Sequence, residues 1–464
     1  MKKIITPRFR SALKSALLAA IALAFLLSAN QSEAAVGDTF TDANFTYTVL
    51  TEEGTTGTVS VAKQSESTPS ETVTIPSSVT NASRTYSVTD IGSYAFSYCV
   101  SLVSITIPDS VTNIGNYAFQ GCSSLTNIEV SPWNMTYTAE NGVLFTKDKT
   151  SLLNYPAGKE EEVYVIPENV TIINPSAFYN CSNLTRIVIP VGVTEINASK
   201  ILNCNSLTDI EVSQENKNYT TIDGVLFTKN KTSLIIYPAG KKLETYTIPS
   251  SVTTIRFYAF DGCSRLANIV IPNNVTEIEM GAFRYCTSLT NIVIPDSITY
   301  IDWAVFEYCT SLTNVTIPDS VTKIDWSAFR NCENLIKITI PENVTEISDS
   351  AFSQTPLSKV YFKGDAPELG EEVFTSDPIL YYIAGTAGWT TPTWNGYRTA
   401  TWTPSEDPLL SFEVKGGKLI LTYSGGKLEA SGDLILWSPV EGAQEGEYEV
   451  DVSLNDRKFY RVVQ

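Results

Sequence analysis

The chain has 464 residues, with 32 basic and 50 acidic side chains, no histidine and a formal net charge of −18 at pH 7. This acidic balance argues against nucleic acid and anionic lipid as partners, because both carry negative charge themselves. The absence of histidine removes the most frequent catalytic base and the commonest metal ligand. The composition therefore disfavours a histidine-dependent enzyme and a metal site.

Residues 1–35 predict a secretory signal peptide. A basic start precedes an apolar run from Ala16 to Leu27, and Ala34 offers a small residue for cleavage there or one residue later. The run is too short to span a bilayer, and no later stretch is apolar enough to do so. We therefore expect an exported protein, located outside the cell, at the cell surface or in the periplasm.

Residues 36–71 predict an N-terminal β cap. The segment is rich in Thr, Val and Gly, and Phe45–Val49 alternates as a strand does. A repeat array needs an atypical end that covers its first exposed core. We interpret this segment as a β-hairpin with that role, because the chain begins to repeat itself at residue 72.

The repeats extend over residues 72–400. Between residues 263 and 331, three stretches of 23 residues align without a gap: CSRLANIVIPNNVTEIEMGAFRY, CTSLTNIVIPDSITYIDWAVFEY and CTSLTNVTIPDSVTKIDWSAFRN. Self-similarity at a fixed period of about 20 to 50 residues is typical of a solenoid. One such coil buries too little apolar surface to fold alone, so the array is the folding unit.

Each coil contains two predicted structural parts. In the middle copy, Ile292 and Ile294 alternate as in a short strand with one buried face, and Pro295 ends that strand because proline cannot donate to the ladder. Phe306 and Cys309 lie three residues apart, which is typical of one helical turn with an apolar side. We therefore predict an α/β repeat solenoid with a parallel β-sheet on one face and short helical turns on the other.

Eight cysteines mark the coils. They are Cys99, Cys122, Cys181, Cys204, Cys263, Cys286, Cys309 and Cys332. Each occupies the same core-facing position, so we predict buried free thiols, with disulfides between coils about 5 Å apart as the alternative.

The spacing of the cysteines reveals two insertions. Successive cysteines are 23 or 59 residues apart, so two copies carry an extra 36 residues. The insertions match each other, for example in 142–147 and 224–229. We interpret each as a β-hairpin that projects from its coil, either as a binding arm or as a flap that covers a sheet edge.

The C-terminal part loses the period. Residues 353–400 predict a degenerate last coil and its cap, and residues 401–408 a linker. Alternating runs with Gly-Gly turns in residues 409–464 predict a small all-β module of about four strands. The module is too small for a usual catalytic domain, which disfavours a hydrolytic activity there.

The repeat motif is L-x-x-I-x-I-P-x-x-V-T-x-I-x-x-x-A-F-x-x-C, and Ile-Pro occurs in it nine times. It resembles the 23-residue leucine-rich repeat of BspA-like and treponemal bacterial surface proteins over residues 70–375. One copy departs from the motif, with Lys200 and Ile201 in place of Ala-Phe. The resemblance implies a binding protein whose partners are host or matrix proteins, other cells or glycans, with the sheet face as the usual binding surface.

Two columns of residues are candidate binding sites. The first flanks the buried position of three successive strands and consists of Asn268, Asn291 and Asn314 beside Val270, Val293 and Thr316. Its alternative role is a side-chain ladder that only supports stacking. The second lies six residues before each cysteine and consists of Phe257, Met280, Trp303 and Trp326. An exposed aromatic stripe often marks an interaction site, and mutual packing that stiffens the stack is the alternative.

No G-x-S-x-G elbow, P-loop or dinucleotide fingerprint occurs in the sequence. We therefore predict a secreted or cell-surface leucine-rich-repeat protein for protein-protein or adhesion-type binding, without catalysis, cofactor or metal. The alternative is a structural envelope component that assembles with copies of itself. The sequence leaves the ligand and the oligomeric state open.

Overall fold

The computed structural model describes residues 35–64, 71–175, 177–196 and 198–403, and the backbone of six strands between residues 410 and 463. The predicted signal peptide, apart from residue 35, lies outside the described residues. The chain divides into two compact units. The first consists of Met1–Glu244, Ser251–Arg265 and Glu279–Cys286, and the second of Thr245–Ser250, Leu266–Ile278 and Thr287–Gln464.

Short strands follow one another through the first half of the chain. They are β1 (Thr39–Thr41), β2 (Phe45–Glu53), β3 (Thr56–Lys63), β4 (Thr72–Thr74), β5 (Ser78–Asn81), β6 (Arg84–Ile91), β7 (Ser104–Ile107), β8 (Asn113–Ile114), β9 (Asn127–Val130), β10 (Tyr137–Glu140), β11 (Val143–Thr146), β12 (Ser151–Asn154), β13 (Val163–Val165), β14 (Ile172–Ile173), β15 (Arg186–Ile189), β16 (Asp209–Val212), β17 (Tyr219–Ile222), β18 (Val225–Thr228) and β19 (Ser233–Ile236).

The sheets of the first unit combine hairpins with parallel stacking. At its start, the antiparallel hairpin β2-β3 lies in a sheet of order β1-β2-β3-β6-β5, in which β3 and β6 are parallel. Next come the parallel sheets β4-β7-β9 and β13-β15-β16. Because neighbouring strands in these sheets come from successive coils, the backbone ladder runs from coil to coil.

The two insertions form strands, but they do not project as free hairpins. In the first, β10, β11 and β12 are antiparallel, and β12 then pairs in parallel with β14. Tyr155 at its end is buried and packs on Phe178, with ring centroids 5.6 Å apart. In the second, Tyr237 stacks on Phe260 at 5.2 Å. The predicted hairpins are therefore present, and because their apolar residues are buried in the stack, the structure favours the covering flap over the projecting binding arm.

The following strands are β20 (Thr245–Thr247), β21 (Thr254–Ile255), β22 (Asn268–Val270), β23 (Glu277–Ile278), β24 (Asn291–Val293), β25 (Tyr300–Ile301), β26 (Asn314–Thr316), β27 (Lys323–Ile324), β28 (Lys337–Ile340), β29 (Glu346–Ile347), β30 (Lys359–Phe362), β31 (Glu368–Leu369), β32 (Ile379–Ile383), β33 (Thr393–Trp394) and β34 (Tyr397–Trp402). Within the second unit they form the parallel sheets β20-β22-β24-β26 and β25-β27-β29-β31, and the sheet β28-β30-β32-β34-β33. Each coil therefore contributes two short strands to two different sheets.

The predicted helical turns are absent from the described part of the chain, and this prediction was wrong. Ala304, Phe306 and Tyr308 donate their backbone N–H groups to carbonyl oxygens of the next coil at 2.8 to 3.0 Å. These N–H groups are therefore not available for the hydrogen bonds of a helix. Ala304 and Tyr308 also have positive φ angles of 53° and 59°, which a right-handed helix forbids. The one helical element among the described residues is a single 3-10 turn, Ala198–Lys200, in the copy that departs from the motif.

A column of phenylalanines fills the core of the second unit. Phe306, Phe329, Phe352 and Phe374 stack one on the next at centroid distances of 5.2, 5.2 and 5.5 Å, and all four are buried. These distances match the separation of neighbouring strands in a sheet plus a small offset. The phenylalanine column and the backbone ladder therefore impose the same spacing on the coils.

The described residues of the C-terminal region form six strands, which is more than the four expected. They are β35 (Leu410–Lys415), β36 (Lys418–Tyr423), β37 (Lys427–Ser431), β38 (Ser438–Pro439), β39 (Gly446–Asp451) and β40 (Phe459–Val463). They form two sheets of three strands each. Strand β34 extends to Trp402, so the first two residues of the predicted linker belong to a sheet, and residues 404–409 lie outside the described part.

Candidate functional site

The first candidate column lies on one open sheet face of the second unit. In β22, β24 and β26 the middle residue is buried and the residues on either side are exposed. The register places Asn268 opposite Asn291, Asn291 opposite Asn314, and Val293 opposite Thr316. The structure thus brings the predicted residues together on one face. Val270 and Val293 are 51% and 47% exposed there.

The stacking hydrogen bonds come from a neighbouring column that the sequence analysis missed. Thr290 and Thr313 each donate a side-chain hydrogen bond to the backbone carbonyl 23 residues earlier, at 3.2 and 3.1 Å. Asn291 donates to the hydroxyl of Thr290 at 3.2 Å, and within the described residues no side-chain hydrogen bond joins one of the three asparagines to another. The threonines therefore support the stack, and the three asparagines are exposed on the sheet face. The recurring Leu-Thr-Asn triplet was the signal for this ladder.

The second candidate column falls into two parts. Phe257 and Met280 lie in the first unit and are half-buried, on coils that are joined by the hydrogen bond from Tyr258 N to Met280 O at 3.1 Å. Trp303 and Trp326 lie in the second unit and stack with a centroid distance of 5.1 Å and an interplanar angle of 6°. The two tryptophans are nonetheless 38% and 49% exposed. Mutual packing and exposure therefore occur together at this pair.

An acidic groove begins at Trp326. It has a volume of about 450 Å³ and is lined by Asp325, Trp326, Glu346, Asp349 and Glu368, among others. Burial would raise the pKa of Asp325, but hydrogen bonds from Tyr300, the Trp326 amide and Ser348, together with the charge of Lys323, hold that pKa below its usual value. Asp325 is therefore charged at neutral pH, and the groove is negative.

The cysteines form a column in the core. All eight are free and buried. Six of the thiols donate to backbone carbonyls 26 residues earlier, as Cys122 does to Phe96 at 3.0 Å and Cys332 to Phe306 at 3.3 Å. Burial raises the pKa of Cys181, Cys263 and Cys332 well above the ordinary value. The cysteine column is therefore part of the core, as predicted, and most of its thiols also donate to a carbonyl of the preceding coil.

Two buried asparagines were missed by the sequence analysis. Asn134 donates to the carbonyls of Pro108 and Val111 at 2.8 and 2.9 Å, and accepts from the amides of Thr136 and Tyr137 at 2.9 and 2.7 Å. Asn216 makes the corresponding bonds in the second insertion. The signal was available, because these two asparagines match when the two insertions are aligned.

The described residues contain neither a metal-binding cluster nor a membrane-spanning helix. No group of three or more histidine, cysteine, aspartate or glutamate side chains there is arranged to hold a metal ion. No helix in the same part of the chain has the length and apolar character needed to cross a membrane. The candidate surfaces among the described residues are therefore formed by aromatic, amide, aliphatic and carboxylate side chains.

Stacked coils with hydrogen bonds between residues 23 apart define this protein as a repeat solenoid of the leucine-rich-repeat type. The model of the BspA type leucine-rich repeat region matches in 6 copies, over residues 67–152, 159–240 and 253–380. These segments cover more than half of the sequence, and the chain belongs to this family.

Several solved structures are similar. A leucine-rich cell surface protein from Faecalibacterium prausnitzii is 28% identical, over 70% of this chain and 95% of that one, with a TM-score of 0.45. The pneumococcal vaccine antigen PcpA is 22% identical over 75% of this chain and 88% of its own, with a TM-score of 0.40. A leucine-rich repeat protein from Bacteroides ovatus is 22% identical over 78% and 100%, with a TM-score of 0.38. No curated protein matches the chain.

Proposed function

We propose that this protein is exported and acts as a non-catalytic binding protein outside the cell or at its surface, where it docks an extracellular protein. Membership of the BspA type leucine-rich repeat family supports a binding role. Export through residues 1–35 is part of the proposal and rests on the sequence pattern alone.

The observation that carries the proposal is the sheet face at β22, β24 and β26. Its exposed residues repeat in register, so three asparagines form one line across three coils and Val270, Val293 and Thr316 form a second line beside it. Val270 and Val293 are about half exposed, so the second line presents apolar surface to the solvent. A flat partner surface could cover both lines at once, and this supports residues 268–316 as the proposed docking surface.

The test is a binding experiment with residues 36–464 on a panel of extracellular matrix proteins and glycans. The variant Val270→Lys/Val293→Lys changes the sheet face. The matched control is Val163→Lys/Val165→Lys, because these valines are also exposed, at 48% and 61%, and flank the middle residue of β13 in the first unit. Circular dichroism verifies that each variant is folded.

We expect saturable binding of a protein by the parent and by the control, and at least tenfold weaker binding by the sheet-face variant. Equal binding by all three would move the docking surface elsewhere. A Trp303→Ala/Trp326→Ala variant then tests the tryptophan pair. Absence of any ligand, together with concentration-dependent light scattering, would replace the proposal by self-assembly into a structural component.

A further inference from the structure

The stack of exposed aromatic side chains ends at Trp326. Trp303 covers one face of its ring, with the two planes nearly parallel. In the next coil the equivalent position is occupied by Asp349, which lies beside the tryptophan coil through the hydrogen bond from Ser327 N to Asp349 O at 3.2 Å. The far side of Trp326 therefore meets a carboxylate position in place of another ring. This side opens into the acidic groove, and Trp326 is 49% exposed.

The carboxylates of this groove are only partly neutralised. Lys323 lies 2.7 Å from Glu346 and 3.7 Å from Asp325, which accounts for one positive charge. Asp349 and Glu368 form no ion pair within the described residues, although Asp349 accepts a hydrogen bond from the amide of Glu371 at 2.7 Å. The groove therefore combines an open indole face with an excess of negative charge.

This combination selects a planar organic cation. A guanidinium group stacks on an indole face and pairs with carboxylates through its fixed fork of N–H donors. An ammonium group would satisfy the carboxylates but would stack less well. A metal ion does not fit, because the described residues contain no cluster with the geometry for one. The volume of about 450 Å³ lies in the range of sites for small ligands and has room for such a side chain.

We propose that the groove between Trp326 and Glu368 binds an arginine side chain presented by the protein partner, with the guanidinium stacked on Trp326 and paired with Asp349 and Glu368. The inference deepens the proposed function and rests on it only in assigning the arginine to a partner. The groove is a second site beside the sheet face, and each can be tested without the other.

The test uses short synthetic peptides, so it does not depend on knowing the partner. Residues 36–464 are labelled with ¹⁵N-tryptophan, and the indole signals of the seven tryptophans of the chain are followed by NMR. The signal that disappears in Trp326→Phe identifies Trp326. The probe is acetyl-Gly-Arg-Gly-amide. The control probe is the same peptide with citrulline, which has almost the same shape and no charge.

We expect the arginine peptide to shift the Trp326 signal in a saturable and salt-sensitive way, and the citrulline peptide to leave it unchanged. Asp349→Asn/Glu368→Gln should weaken binding at least fivefold. The charge-matched control Asp296→Asn/Glu333→Gln removes two exposed carboxylates of the same unit outside the groove and should bind as the parent does.

Equal shifts with citrulline, or equal weakening by both carboxylate pairs, would overturn the assignment. A larger shift with the corresponding lysine peptide would also overturn it, since the groove would then prefer a point charge. A failure of this experiment leaves the sheet-face experiment unaffected, because the two experiments change different residues and use different ligands.

Discussion

Thr355 donates a 2.6 Å hydrogen bond from its hydroxyl to the carbonyl oxygen of Phe329. Cys332, one coil earlier, donates from its thiol to the carbonyl of Phe306 in the same way, at 3.3 Å. The two residues therefore occupy equivalent positions, and each donates a hydrogen bond to the carbonyl 26 residues before it. What this position requires is a small buried donor, and sulfur is one of two ways to supply it.

We predict from this equivalence that Cys332→Ser is tolerated and Cys332→Ala is not. Serine retains the donor, so the free energy of unfolding should change by less than about 1 kcal/mol. Alanine removes one of the two hydrogen bonds to the Phe306 carbonyl, which keeps the bond from the Cys309 amide, and it leaves a small cavity, at a cost of about 1–2 kcal/mol. Urea unfolding followed by circular dichroism measures both. An equal loss in the two variants would show that the sulfur itself, through its packing, is what matters.

Three of the thiols should be unreactive in the folded protein. All eight cysteines are buried, and burial raises the pKa of Cys181, Cys263 and Cys332. The thiolate is the reactive form, and at pH 8 these three thiols remain protonated. We expect an aromatic disulfide reagent to label none of the three within minutes in buffer and all eight cysteines in urea. Cys99 should be the first to react, because a hydrogen bond with Cys122 and the charge of Lys63 lower its pKa. Rapid native labelling of the three would contradict the buried column.

Asn134 should be among the most sensitive polar residues of the first unit. It is fully buried and all four of its hydrogen-bonding positions are used. Asn134→Leu leaves four backbone groups without this partner, and we expect it to lower the free energy of unfolding by more than about 3 kcal/mol. Asn169→Leu serves as the control, because Asn169 also donates to two carbonyls but is exposed. Similar losses in both variants would count against this role of burial.

Stability should fall in acid partly through Asp325. Its pKa is lower in the folded protein than the ordinary value of 3.8 for aspartate, so the unfolded chain binds the proton more tightly. The stabilisation is therefore complete above the unfolded pKa and is lost as the pH falls through the folded pKa. We expect the urea midpoint of Asp325→Asn to decrease less than that of the parent between pH 6 and pH 3. Parallel decreases would mean that other carboxylates cause the effect.

The period of the sequence was sufficient to predict the stack. The nine Ile-Pro pairs and the regular cysteines gave the solenoid, the strand register and the buried thiols, because a repeated pattern of apolar residues has one way to bury them all. The predicted columns of asparagines and tryptophans followed from the same register. These features depend on position within the repeat and little on its surroundings.

The absence of the helical turn and the burial of the hairpins could not be predicted in this way. A spacing of three between Phe306 and Cys309 suits a helix and also suits two tight turns, and the choice depends on where the backbone N–H groups find acceptors. In this fold the acceptors are in the next coil, which local sequence does not show. The groove at Trp326 likewise depends on Asp349 and Glu368, which are remote in sequence and become neighbours only through stacking.

Tyr155 and Tyr237 take the place of phenylalanine in the coils that carry the insertions, and the thiol of the following coil still reaches the carbonyl 26 residues before it. The added strands therefore leave this contact between coils in place, at 3.8 and 3.6 Å. A coil can be lengthened at the exposed turn between β11 and β12 or between β18 and β19 while its contacts with the neighbouring coils are kept. A family built in this way can lengthen single coils independently, and a foreign peptide grafted at Lys149 or Lys231 should be displayed without disturbing the rest of the array.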